Sequence, residues 1–148
     1  VFTGHSFPWQ MKLAVNGTPF PIDDRRGIPK MIFKGTLEHF SEDTLARFRR
    51  RMCGSSGQTE EFLSRTPTRT AEELREELAA LAQGITAYGS SSFIWDRAII
   101  GNRDKIFPPR NQHEAWQGTE IMETEAEHYE TSLFSRLLEG KGEEWTRH

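Results

Sequence analysis

Four arginines lie within five consecutive positions, and they are the residues whose type and spacing could most directly do chemistry. Guanidinium groups match phosphate oxygens geometrically, so such a cluster predicts a phosphate-facing or nucleic-acid-binding patch. Trp95 next to Asp96 adds an aromatic ring with an adjacent acid, a combination that can bind a flat cationic ring. The competing interpretation is a solvated helix face and a tryptophan packed in the interior. The candidate binding residues are Arg47, Arg49, Arg50, Arg51, Trp95 and Asp96.

The candidate nucleophiles and metal ligands of the chain form no complete motif. Cys53 opens a Gly- and Ser-rich stretch like that of a phosphate loop, but Gln58 stands where a lysine is required. We expect this stretch to end a helix. The five histidines lack the i, i+4 spacing of a helical zinc site, and His128, among glutamates, is expected on a solvated face. We predict no catalytic residue, no metal site and no cofactor.

The order of helix, strand, hairpin and helix expected between residues 70 and 139 resembles the core of the PD-(D/E)xK metal nucleases. The resemblance implies that Asp96 is a metal-binding aspartate. It also implies an acid two residues before a lysine on the next strand, where this chain has Asp104 directly before Lys105. Neighbouring strand residues point to opposite faces, so these two side chains cannot both face Asp96. A degenerate or active nuclease is therefore the third functional hypothesis.

Helix signals begin after an aromatic-rich first segment. Ser41 precedes two acidic residues and can cap one helix, while Thr70 and Glu73 form the capping box of another. Apolar residues recur at helical spacing after both starts and again near the end of the chain. The predicted main helices cover 41–52, 70–85 and 119–139.

Strand signals lie before and between these helices. Residues 11–15 predict a short strand that stops at Asn16-Gly17, a dipeptide that tolerates positive φ and is typical of hairpin turns. Residues 30–37 are a second predicted strand, and a β-hairpin over 93–107 is expected to turn at Gly101-Asn102. The fold class that follows is α+β, with a small, mostly antiparallel sheet and about three main helices packed on one face.

The chain has 148 residues, of which 35% are hydrophobic, and this predicts a single domain over 1–148. Its expected segments are a β- and loop-rich part at 1–40, a helical part at 41–88, a β-hairpin at 89–110, a C-terminal helix at 111–141 and a tail at 142–148.

Composition and net charge argue against several classes of function. A net charge of −3 argues against nucleic-acid binding through overall charge, so any such binding should be weak. The single cysteine predicts an intracellular, reducing compartment, and no apolar run is long enough for a membrane span. The leading hypothesis is a non-enzymatic interaction or structural module with a protein partner in a larger assembly. The alternative is a nucleic-acid or nucleotide-binding domain, for RNA among others, that uses the arginine cluster.

Overall fold

A computed structural model describes residues 11–65, 68–88 and 93–139, and within these ranges three strands form one sheet. The strands are β1 (Leu13–Val15), β2 (Arg97–Gly101) and β3 (Glu120–Thr124). Both strand pairings are parallel, in the order β1-β2-β3. The helices of the same ranges are α1 (Lys30–Glu38), α2 (Glu42–Cys53), α3 (Ser56–Arg65), α4 (Ala71–Tyr88), α5 (Pro109–Ala115) and α6 (Thr131–Leu138).

Strand β2 lies at the centre of these three, and all of its residues are buried. The apolar run Ala98 to Ile100 within it is typical of a parallel strand that is covered on both faces. Successive side chains alternate between the faces, so Ile100 packs with Trp116 while Ile99 packs with Leu133. Helix α6 therefore covers one face of the sheet, and the segment that follows α5 covers the other.

The two crossovers between parallel strands differ greatly in length. The chain passes through α1 to α4 between β1 and β2, but only through α5 between β2 and β3. The four-helix segment reaches the loops beyond β2 and β3 through α2. Arg51 donates to the carbonyl of Lys105 at 3.4 Å, and the amide of Tyr129 donates to the carbonyl of Met52 at 3.0 Å. None of the helices in the described ranges combines the length and apolar character needed to cross a bilayer.

The prediction of an α+β protein is confirmed in general, but the antiparallel sheet and the three-helix count are wrong. The helices predicted at 41–52 and 70–85 are confirmed as α2 and α4. Ser41 caps α2, and Thr70 and Glu73 exchange the hydrogen bonds of a capping box at 2.8 and 3.2 Å. These helices are encoded by local signals, which is why they could be found in the sequence.

Elements that depend on distant partners were predicted wrongly. Residues 30–37 lie in α1, where a helix suits the chain because Pro29 precedes it and Ile32 and Phe33 line one apolar pocket. The predicted hairpin over 93–107 contains only β2, which pairs with β1 and β3 instead. The predicted helix over 119–139 divides into β3, a loop and α6, because pairing with buried β2 outweighs helix propensity. The predicted tail at 142–148 lies outside the described residues.

Candidate active site

The carboxyl ends of the three strands lie at one edge of the sheet because the strands are parallel. Asn16 directly follows β1, the turn that contains Asp104 follows β2, and the loop that contains His128 follows β3. Open parallel sheets place their functional groups at this edge, where loops from separate strands meet. We therefore take this edge as the candidate site.

Asp104 and His128 form a hydrogen-bonded pair at this edge. Oδ2 of Asp104 lies 2.9 Å from Nδ1 of His128. The aspartate side chain is fully buried, whereas 23% of the histidine side chain is exposed. Because a carboxylate carries no proton, Nδ1 is the donor in this pair, which leaves a lone pair on Nε2. The histidine is thus held in the tautomer that can accept a proton.

The carboxylate of Asp104 is fixed by further donors from its own turn and from α5. Its Oδ1 accepts from the amides of Ile106 at 2.7 Å and Phe107 at 3.0 Å. Its Oδ2 also accepts from Nε2 of Gln112 at 3.1 Å. Gln112 is completely buried and donates as well to the carbonyl of Phe107 at 2.8 Å. The acid cannot turn away from the histidine without breaking several of these bonds.

The imidazole ring is held by packing as well as by its hydrogen bond. The ring of Phe107 stacks on His128 with centroids 5.9 Å apart and an interplanar angle of 17°. The backbone beyond His128 is tied to α2 through the amide of Tyr129. A histidine oriented by a buried carboxylate is the general base of the Ser-His-Asp arrangement, which is recognised by its geometry and not by its position in the sequence.

The third member of such an arrangement is a nucleophile. Within the described ranges, no serine, threonine or cysteine side chain forms a hydrogen bond with His128. Cys53 is fully buried at the end of α2, and this burial raises the pKa of its thiol. A buried, protonated thiol is a poor nucleophile, so Cys53 is structural. No group of three or more potential ligands in this part of the chain could hold a metal ion.

An apolar pocket of about 280 Å³ lies between the helical segment and the Asp104 turn. Side chains of α1, α2 and α4 form most of its wall, with Ile32, Phe48 and Leu78 among them. Ile106, two positions after Asp104, completes the wall on the side of the sheet. The pocket can therefore bind an apolar chain. Ile106 connects its wall to the turn that carries Asp104, whereas neither Asp104 nor His128 lines it.

A second groove, of about 340 Å³, lies between α1 and α2 and shares Phe48 and Arg51 with the apolar pocket. His39 and Arg47 also line this groove. An apolar pocket thus continues into a groove with basic side chains. A ligand that combines an apolar chain with an anionic group would match this arrangement.

The arginines singled out in the sequence lie together on α2. Arg47, Arg50 and Arg51 are exposed, and Arg49 is half-buried. Within the described ranges, Arg47, Arg49 and Arg50 form no ion pair with an acidic side chain. Arg47, Arg50 and Arg51 thus give α2, from residue 47 onward, an exposed positive charge.

The other two predicted binding residues lie at the opposite edge of the sheet. Asp96 precedes β2 and pairs with Nζ of Lys12 at 3.5 Å, while Trp95 packs edge-on against Trp116 at 6.2 Å. In the part of the chain that the structure describes, no hydrogen bond or ion pair joins Trp95 or Asp96 to the arginines of α2. Their role in binding stays a prediction.

Known proteins resemble most of this chain. A family model described as "Pimeloyl-ACP methyl esterase BioG" matches residues 4–139. A crystal structure of BioG from Haemophilus influenzae superimposes with a TM-score of 0.79 at 40% identity, covering 86% of this chain and 60% of that one.

Two curated relatives extend the comparison. The chain is 46% identical over 140 residues to a "Malonyl-[acyl-carrier protein] O-methyltransferase" of Bacteroides fragilis, covering 93% of this chain and 29% of that protein. It is 44% identical over 124 residues to an uncharacterized protein of Haemophilus influenzae, covering 82% of this chain and 57% of that protein. The chain thus spans less than two thirds of either relative.

Proposed function

The chain belongs to the family of the pimeloyl-ACP methyl esterase BioG, and from that membership we propose that it provides the base and the acyl pocket of an esterase. The substrate would be the methyl ester of an acyl chain carried by an acyl carrier protein. The observation that supports this most directly is the 2.9 Å hydrogen bond between Asp104 and His128, together with an apolar pocket whose wall includes Ile106 of the Asp104 turn. Ester hydrolysis needs an oriented base of this kind.

Membership of an enzyme family overturns the prediction of a non-enzymatic structural module. The alternatives, a nucleic-acid or nucleotide-binding domain and a degenerate or active PD-(D/E)xK-like nuclease, are wrong on the same ground. The error arose because Asp104 and His128 are 24 positions apart and meet only through the parallel pairing of β2 and β3. Local sequence signals predict a hairpin around Asp104 and a helix around His128, so they do not bring the two residues together.

In the proposed reaction, Nε2 of His128 takes the proton of a nucleophilic hydroxyl or thiol as that group attacks the ester carbonyl. The protonated histidine then gives the proton to the departing methoxide, so methanol leaves and an acyl-enzyme remains. The same nitrogen next activates a water molecule that releases the free carboxylate. Asp104 stabilises the imidazolium that forms in each half of the reaction. We place the nucleophile in the part of the longer relatives that this chain does not span.

Hydrolysis suits this chain better than methyl transfer. The methyltransferase name belongs to a whole protein of which this chain covers only 29%, so that activity can reside in the remainder. A histidine poised to accept a proton beside an apolar pocket matches the needs of ester hydrolysis. We also place the reaction inside the cell, in keeping with the single cysteine and its buried, protonated thiol.

Hydrolysis of a pimeloyl-ACP methyl ester tests this function. The protein that carries this chain should release methanol and the free acid, detected by mass spectrometry of the carrier protein. A chimera in which this chain replaces the matching segment of the Haemophilus influenzae BioG should also be active. The remainder of that protein without the segment is the control. A chimera that is folded by circular dichroism but leaves the ester intact would contradict the proposal.

We further propose that the arginines of α2 bind an acidic surface of the carrier protein. Arg47→Glu with Arg50→Glu should raise KM for the carrier-bound ester about tenfold, since each exposed cation becomes a repelling anion. The value of kcat should stay unchanged, because no hydrogen bond or ion pair in the described part of the chain joins either side chain to Asp104 or His128. Arg75→Glu is the matched control, since Arg75 is an exposed helical arginine that already pairs with Glu72 at 3.6 Å. Equal effects of the two changes on KM would contradict a docking role for α2.

A further inference from the structure

Asn16 combines deep burial with an unusual backbone conformation. It is 4% exposed and has a φ of 48°, in the left-handed region that non-glycine residues rarely adopt. Asparagine tolerates this region better than most residues, which accounts for its occurrence at the end of β1. A polar side chain buried at such a position points to a role for the carboxamide itself.

The carboxamide of Asn16 joins the ends of the three strands. Its Oδ1 accepts from the amide of Gly101, the last residue of β2, at 2.7 Å. Its Nδ2 donates to the carbonyls of Glu127 at 2.9 Å and His128 at 3.0 Å, in the loop after β3. Its own amide donates to the carbonyl of Ile99 at 3.0 Å, so β1 is tied to β2 through the backbone as well.

The groups that Asn16 binds are directly connected to both members of the Asp104–His128 pair. The carbonyl of Gly101 accepts from the amide of Asp104 at 3.1 Å, so the turn that carries the acid begins where Asn16 is bound. The carbonyl of His128 is itself a partner of Asn16. The junction has no spare room, because a Cβ on Gly101 would lie 2.9 Å from Oδ1 of Asn16 and 2.5 Å from the carbonyl oxygen of Ala126.

We infer that Asn16 is a positioning residue, which holds the backbone of His128 in register with the Asp104 turn so that Nδ1 meets Oδ2. Its effect on turnover rests on the proposed esterase function, whereas its effect on the Asp104–His128 hydrogen bond does not. Asn16 itself need not touch the substrate. A displacement of about 1 Å in a catalytic group can cost on the order of 10²-fold in rate, so losing these bonds should be seen in kcat.

Asn16→Gly is the most direct test, because glycine adopts positive φ without strain and removes only the side chain. We expect kcat for the carrier-bound ester to fall about 100-fold while KM changes by less than about twofold. Asn111→Ala is the matched control. Asn111 is also buried and gives both Nδ2 protons to backbone carbonyls, those of Asp24 at 3.1 Å and Gly27 at 2.8 Å. It should lower the melting temperature and leave kcat unchanged.

A proton NMR spectrum provides a readout that needs no turnover. The Nδ1 proton of His128, hydrogen-bonded to Asp104, should give a low-field resonance in the unaltered protein and in Asn111→Ala. That resonance should be absent from the spectrum of Asn16→Gly. If Asn16→Gly does not fold, Asn16→Asp decides in both measurements. It keeps the acceptor for Gly101 and places a carboxylate oxygen where Nδ2 had donated to the carbonyls of Glu127 and His128. A folded Asn16 variant that retains both kcat and the resonance would overturn the inference. If the unaltered protein hydrolyses no ester, the proposed function fails, and the resonance alone decides the role of Asn16.

Discussion

Replacing His128 by alanine should lower kcat for the carrier-bound methyl ester on the order of 10⁴- to 10⁶-fold, with little change in KM. The variant keeps the apolar pocket and the arginines of α2, so binding of the ester should persist. It lacks the nitrogen that takes the proton of the nucleophile and returns it to the leaving group. Single-turnover kinetics with excess enzyme, followed by mass spectrometry of the carrier protein, would measure the loss directly.

The control for this variant is His113→Ala. The side chain of His113 is 41% exposed and lies 3.2 Å from Glu123, so it shares residue type and contact with an acid. No hydrogen bond or ion pair within the described ranges joins it to Asp104, and its replacement should leave kcat unchanged. Should His128→Ala keep more than about a tenth of the original kcat, the base would have to be another residue.

The contrast between α2 and β3 shows what a single sequence reveals about this fold. The start of α2 depends on Ser41 and its neighbours, and that of α4 on Thr70 and Glu73, so each is set within one turn of chain. Strand β3 forms only because β2 offers a buried partner, as in the pairing of Ile99 with Met122. Helical spacing of apolar residues in that region misled the prediction, because periodicity does not report a distant strand.

One overlooked signal was present in β2. Ala98, Ile99 and Ile100 form a continuous apolar run, which is typical of a parallel strand covered on both faces, whereas a hairpin strand usually alternates. Taken as a parallel strand, β2 would have placed Asp104 in a loop at the carboxyl edge of the sheet. That is where functional residues of such sheets gather.

The burial of His128 is harder to predict from the sequence than the position of Asp104. His128 lies among glutamates and was expected on a solvated face, yet it is mostly buried against Asp104 and Phe107. Of those glutamates, Glu127 is itself only 12% exposed and lies 3.5 Å from Lys105. An acidic sequence around a residue therefore does not establish exposure, because distant cations can partner the acids.

For Asn16, the positive φ was expected from the Asn-Gly pair, but the hairpin turn inferred from it was wrong.

Replacing Asp104 by asparagine should lower kcat about 10⁴-fold while the fold is retained. The amide oxygen would take the place of Oδ1, which accepts from the amides of Ile106 and Phe107. The amide nitrogen would then face Nδ1 of His128, where the carboxylate had accepted a hydrogen bond. His128 would have to offer a lone pair at Nδ1 and carry its proton on Nε2, the tautomer that cannot act as a base.

The loss should therefore appear in kcat and in the low-field NMR resonance together, with KM and the circular dichroism spectrum nearly unchanged. Asp96→Asn is the matched control, because Asp96 also accepts a backbone amide hydrogen bond, from Lys12, but at the opposite edge of the sheet. It should leave both measurements as they are. A folded Asp104→Asn variant with the original kcat would show that the carboxylate does not orient the base, and the assignment of this edge as the active site would have to be abandoned.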